Sequence, residues 1–138
     1  MNFEKLPLKL LIHGDTLLEG ELYLYEKDPN DNNQVLIEVS FNDQKISKTG
    51  DNFFRALQNL RKKLENKHIQ IICNGAALNV YPSPMQMSMG SCRTAYLLQL
   101  GQQAKRIDIV DIFSCLDSLT FVSVKEQELF YKKWIKSI

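Results

Sequence analysis

Hydrophobic and polar positions alternate near the start of the chain. Leu8, Leu10 and Ile12 share one parity, Lys9, Leu11 and His13 take the other, and Gly14-Asp15 supplies a turn. The next stretch repeats the pattern, with Leu18, Leu22 and Leu24 on one side and Glu19, Glu21, Tyr23 and Tyr25 on the other. Successive side chains of a strand point to opposite faces, so this period of two predicts two half-buried strands and a hairpin between them. Residues 27–34 are dense in turn formers and predict a loop. Val35, Ile37, Val39 and Phe41 predict a third strand facing inward, and Asn42-Asp43 a turn into a short strand at Lys45–Ser47. The result is an antiparallel meander with one apolar face.

After Gly50 the period changes. Phe53, Leu57, Leu60 and Leu64 recur at helical spacing and predict a helix over Asp51–Asn66. Arg55, Arg61, Lys62 and Lys63 fall largely off that stripe and are expected in solvent, where late basic charge suits the helix dipole. His68–Asn74 predicts a buried strand, Asn74-Gly75 a tight turn, and Ala76–Tyr81 a strand returning beside it. Two prolines and Gly90 bracket a short loop or helical turn carrying Met85, Met87 and Met89. Ala95–Leu100 predicts a strand, and Ile107, Ile109, Val110, Ile112 and Phe113 are expected to be buried. Ser123 with Glu126 matches a capping box, which opens a last helix running towards Ile138 with Leu129, Phe130, Trp134 and Ile138 as its apolar stripe. The fold class is α+β: a mostly antiparallel sheet packed against two principal helices that form a single layer on one face.

Length and composition narrow this to one domain, 1–138, because 138 residues with no internal repeat or linker suit a single core. No apolar run approaches the ~20 residues that cross a bilayer, and the start lacks a basic segment and a long hydrophobic middle, so neither a membrane span nor a secretory signal is expected. The expected location is cytoplasmic. The three cysteines, Cys73, Cys92 and Cys115, are odd in number and widely spaced, so reduced, metal-free thiols are expected. Net charge is only +1, but it is unevenly spread: residues 1–51 hold ten acids and five bases, and 52–138 hold six acids and twelve bases.

Candidate chemistry is sparse. Cys92, in Gly90-Ser91-Cys92-Arg93, could act as a nucleophile only if His13 or His68 were folded beside it. Asp108 and Asp111, with Asp117, lack the dense loop spacing of a calcium site. No glycine-rich phosphate loop is present, and no cofactor is expected. The basic helix 55–67, with Arg61, Lys62, Lys63 and Lys67, is the candidate for nucleic acid, though no stacking aromatics accompany it. Two surfaces suit a protein partner. One is the acidic, aromatic stripe Glu19, Glu21, Tyr23 and Tyr25, which would draw a basic partner. The other is the Met85, Met87, Met89 segment, because methionine adapts to irregular contacts.

The stretch from Cys73 to Phe113 carries a family likeness: Cys73 to Met85 (CNGAALNVYPSPM), then Met89-Gly90, Ala95-Tyr96 and Asp108–Phe113 (DIVDIF). It resembles small bacterial immunity proteins encoded beside polymorphic or contact-dependent growth-inhibition toxins. The resemblance covers about a third of the chain. It implies a protein that does no chemistry and that neutralises a cognate toxin domain, commonly a nuclease, by occluding it. It implies no direct contact with nucleic acid or membrane, and leaves homo-oligomerisation open. The rival readings are a small enzyme using Cys92 or Asp108 and Asp111, and a nucleic-acid-binding module using the basic helix.

Overall fold

The computed structural model of the protein describes residues 2–138. The expected hairpin forms from β1 (Glu4–Ile12) and β2 (Thr16–Tyr25), in register from Glu4↔Leu24 to Ile12↔Thr16. Next to β2 lies β3 (Val35–Phe41), whose alternate residues Val35, Ile37, Val39 and Phe41 are all buried. Asn42 and Asp43 both adopt positive φ, 46° and 61°, the geometry of a two-residue turn whose twist matches its flanking strands. That turn aligns the whole of β3 with β4 (Gln44–Gly50), so β4 is longer than the three residues expected. A fifth strand, β5 (Ile69–Ile72), joins the free side of β1 and completes a curled sheet of order β4-β3-β2-β1-β5.

Proline inside β1 is tolerated because of where its missing donor falls. The His13 N–H donates to the His68 carbonyl (2.8 Å) on the β5 side, and every second residue turns its N–H the same way. Pro7 therefore lacks a donor only on the β5 side, past Lys9↔Ile72 where β5 has ended.

The apolar face is covered by α1 (Phe53–Glu65), which buries Phe53, Leu57, Leu60 and Leu64 against Leu10, Leu22, Ile37 and Val39. Its cap is Asn52, so the helix starts two residues after the expected Asp51: the Asn52 side chain accepts from the Arg55 N–H (2.8 Å) and donates to the Met87 carbonyl (3.1 Å). At Gly50 the start of α1 passes so close that a Cβ would strike the backbone of Ala56.

Arg61 departs from expectation. It lies in the core, 1% exposed, on the same side of α1 as the leucines. Its Nη1 donates to the Gly75 carbonyl (3.2 Å) and Gln127 Oε1 (2.6 Å), and its Nη2 to the Val122 carbonyl (2.8 Å). Burial pulls its pKa down, and the hydrogen-bond acceptors around the fork compensate for part of the lost water.

The chain after β5 also differs from the expected hairpin. Asn74–Ala76 forms a 3₁₀ turn, because the Asn74 side chain is held from a distance: it donates to the Asp111 carbonyl and accepts from the Leu116 N–H, each at 2.9 Å. The returning strand is cut to β6 (Val80–Tyr81), which pairs with β7 (Thr94–Leu97) in a second sheet completed by β8 (Ile109–Asp111). Between β6 and β7, α2 (Pro84–Ser88) is a single capped turn. Of the residues expected to be buried before α3, Ile112 and Phe113 are in the core, but Ile107 is 87% exposed on a 3₁₀ turn, Ile109 on β8 is also exposed and Val110 is half-buried.

The last helix, α3 (Val124–Ser137), starts at the expected capping box. Its buried face is Val124, Gln127 and Trp134, with Phe130 and Tyr131 half-buried, whereas Leu129 and Ile138 face solvent. The cause is Gln127, whose Nε2 donates to the carbonyls of Gly75, Ala77 and Val80 at 2.9, 2.8 and 2.8 Å. Those carbonyls belong to an irregular segment, so α3 turns a polar residue towards them. Tyr131 stacks on Tyr81 at 4.0 Å, seating α3 on β6 and α1.

Candidate partner-binding surface

The face of the five-stranded sheet opposite α1 carries Glu19, Glu21, Tyr23 and Tyr25, as the alternation of β2 requires. Cross-strand neighbours change the character of this stripe. Lys9 stands opposite Glu19, and Lys5 reaches Glu21 at 2.6 Å. The acidic stripe is thus flanked by a lysine stripe from β1 and is nearly neutral as a surface. Its aromatic part is larger than expected. Phe3, 52% exposed, packs on Tyr23 and Tyr25 with ring centres 5.5 and 5.6 Å apart.

An open trough of about 1010 Å³ lies along β1 and β2 beside the charged pairs, lined by residues of both faces, Lys5 and Glu21 as well as Leu6 and Leu8, and walled by Arg93, Asp111, Phe113 and Cys115. Arg93 is held from three sides. Its Nη1 meets Glu4 Oε1 at 2.6 Å, its Nη2 lies 3.7 Å from Asp111 Oδ2, and its guanidinium sits 5.6 Å above the centre of the Phe113 ring. The hydrogen bond from Arg93 holds the Glu4 carboxyl below its ordinary pKa, and the same bond raises that of Arg93. A smaller hollow of about 480 Å³ between Phe3, Leu24 and Phe53 shares Glu4 and Arg93 with the trough. Glu4 and Arg93 thus form a clasp between the two cavities.

The methionine segment is divided. Met85 and Met89 are exposed, 69% and 68%, one helical turn apart, while Met87 is half-buried against the core. Only two of the three are available to a partner.

The other candidates are scattered. Cys92 is buried with positive φ, and burial pushes its thiol up to about 11. It lies beside the start of α1, since Ser91 accepts from the Phe53 N–H (2.8 Å). His13 and His68 pair with each other, 5.6 Å apart, past the far end of α1. A 13-residue helix, ~20 Å long, separates them from Cys92. Cys73 is fully buried and pushed up to about 12, Cys115 is exposed, and all three thiols are free. Asp111 accepts from the Phe113 N–H (2.8 Å), which closes a turn, while Asp108 ends a 3₁₀ turn and Asp117 is exposed. Among the described residues, no three His, Cys, Asp or Glu side chains converge to hold a metal ion, and no helix is long and apolar enough to cross a membrane. Of the expected basic helix 55–67, Arg55, Lys62 and Lys63 are exposed on α1 as expected, Lys67 is exposed in the turn after the helix has ended at Glu65, and Arg61 is structural.

Sequence reasoning missed Phe3, Lys5, Lys9 and Arg93. The odd parity of Lys5, Pro7 and Lys9 on β1 was a usable signal for the lysine stripe, but Arg93 arrives through long-range folding that no local pattern records. No protein-family model matches the chain, and no curated protein matches it significantly.

Proposed function

We propose that the protein is an immunity protein that binds a toxin domain through the outer face of its five-stranded sheet and blocks it by occlusion. The observation that supports this reading is the Phe3, Tyr23 and Tyr25 cluster, partly solvent-facing beside an ion-paired trough on a hairpin bonded along its whole length. Aromatic rings on a rigid support supply contact area with little entropy loss, and the tyrosine hydroxyls add polar contacts, as interface anchors do. The balanced charges around them suit a partner with matching pairs of both signs. Such pairs set register and exclude wrong partners more than they add affinity.

The test is binding to the toxin domain encoded beside the gene, with rates measured separately. Tyr23→Ala should mainly hasten dissociation, costing about 1–3 kcal/mol. Glu19→Lys with Glu21→Lys should slow association with a basic toxin, because four cations would then crowd β1 and β2. Binding unchanged by both substitutions but weakened by Met85→Glu would move the interface to α2. If the toxin does not bind, or binds all variants equally, the proposal fails.

A further inference from the structure

Both edges of the five-stranded sheet are open, and they differ. On the β5 side, Pro7 removes a donor from the exposed part of β1. On the other side, β4 is a continuous seven-residue edge. The Thr49 carbonyl accepts from Asn59 Nδ2 (2.8 Å), a residue of α1 rather than of β3. It therefore points away from β3. Alternate residues share this direction, so the N–H and C=O groups of Lys45 and Ser47 face the open side with it.

A groove of about 470 Å³ lies between this edge and the late turns of α1. Lys48, Lys62 and Lys63 line it with Thr49, Asn59 and Asn66, and no carboxylate does. Among the described residues, none of the three lysines is paired with a carboxylate within 4.0 Å, whereas Lys5 and Arg93 are. Lys48 belongs to the alternate set of β4 that faces the helix layer, which is why it meets lysines from α1.

We propose that the β4 edge and this groove together dock an extended acidic segment of a partner protein, added to the sheet as a sixth strand. A strand laid against β4 would sit ~4.8 Å away and turn every second side chain towards the helix layer. Carboxylates at those positions would meet Lys48, Lys62 and Lys63, while Lys45 and Ser47 provide the main-chain bonds. Backbone pairing gives affinity and the charges give selectivity. A second copy of the same edge is a poor occupant, because it brings lysine against lysine. Nucleic acid would satisfy the lysines and leave the strand's main-chain groups unused. The site goes beyond the aromatic face of the proposed function and does not depend on it.

The probe is a dye-labelled peptide of about eight residues that alternates glutamate with valine or threonine, read by fluorescence anisotropy with the full chain at about 0.15 M salt. Saturable binding is expected. It should weaken by about tenfold or more with Lys62→Glu and Lys63→Glu together, and by a similar factor with Ser47→Pro, which removes one edge donor. A peptide N-methylated at alternate backbone positions should lose binding in the same way while leaving the protein untouched, so the result does not depend on the folding of any variant. Substituting lysine for glutamate in the peptide should abolish binding. The proposal is overturned if the acidic peptide does not bind saturably, or if N-methylation has no effect. It is also overturned if an oligothymidylate of equal charge binds more tightly and is indifferent to Ser47→Pro, which would make the groove a phosphate site.

Discussion

Arg61, Lys62 and Lys63 are three consecutive cations whose substitution should give sharply different results. Arg61→Ala leaves the Val122 carbonyl and Gln127 Oε1 without their donor and opens a cavity, so a loss of about 3 kcal/mol or more is expected from urea unfolding. Lys62→Glu and Lys63→Glu, both on exposed residues, should each stay within about 0.5 kcal/mol of the parent. The thiols should separate in the same manner. A thiol reagent at pH 8 should react quickly with Cys115 and slowly with Cys73 and Cys92, because burial keeps the latter two protonated. More than one fast equivalent would contradict this placement. Glu4 adds a pH signature. Its folded pKa lies below the ordinary 4.5, so the folded state binds its proton less readily than the unfolded chain. The clasp to Arg93 therefore stabilises fully above the unfolded value and is lost as pH falls through the folded one. The stability difference between the parent and Glu4→Gln should be present at pH 7 and vanish in acid well below pH 4.5, by an amount kept small by solvent exposure.

Elements were legible wherever one face met oil and the other water. β1 to β4 and the leucine stripe of α1 follow directly from periods of two and 3.6. Legibility failed where the interior is polar. Gln127 and Arg61 carry the side-chain bonds that join α1 and α3 to segment 74–80, and a rule that assigns such residues to the surface misplaces the face of α3. The Asn74 turn failed for a related reason: its partners lie 37 and 42 residues away. The site was half legible, since β2 showed its outward stripe but not the lysines that neutralise it. The close junction between β4 and α1 is glycine-dependent. Gly50→Ala would push a Cβ into the Ala56 backbone and force α1 off β4, with an expected loss of at least ~2 kcal/mol in chemical denaturation. A loss below about 0.5 kcal/mol would show that the junction can relax.

At the scale of the molecule, the two sheets share one core. Gln127 and Arg61 both bond the Gly75 carbonyl, and Trp134 Nε1 donates to the Gln102 carbonyl, which ties α3 to the connection after β7. Trp134 fluorescence and far-UV circular dichroism should accordingly report coincident unfolding midpoints, the behaviour of a single cooperative unit. Separate midpoints would mean that the small sheet opens independently. The order of assembly gives Pro7 a second significance. The β1–β2 hairpin is local and can close within microseconds, whereas β5 must wait for α1 and about sixty residues of chain. During that interval β1 is a half-made sheet with an apolar face and a bare flank, the kind of surface on which another nascent chain can nucleate fibril growth. A residue that cannot donate, set in that flank, blunts the template at the time of greatest exposure. Pro7→Val should leave the mature fold nearly unchanged but shorten the lag before aggregates scatter light during refolding at high concentration.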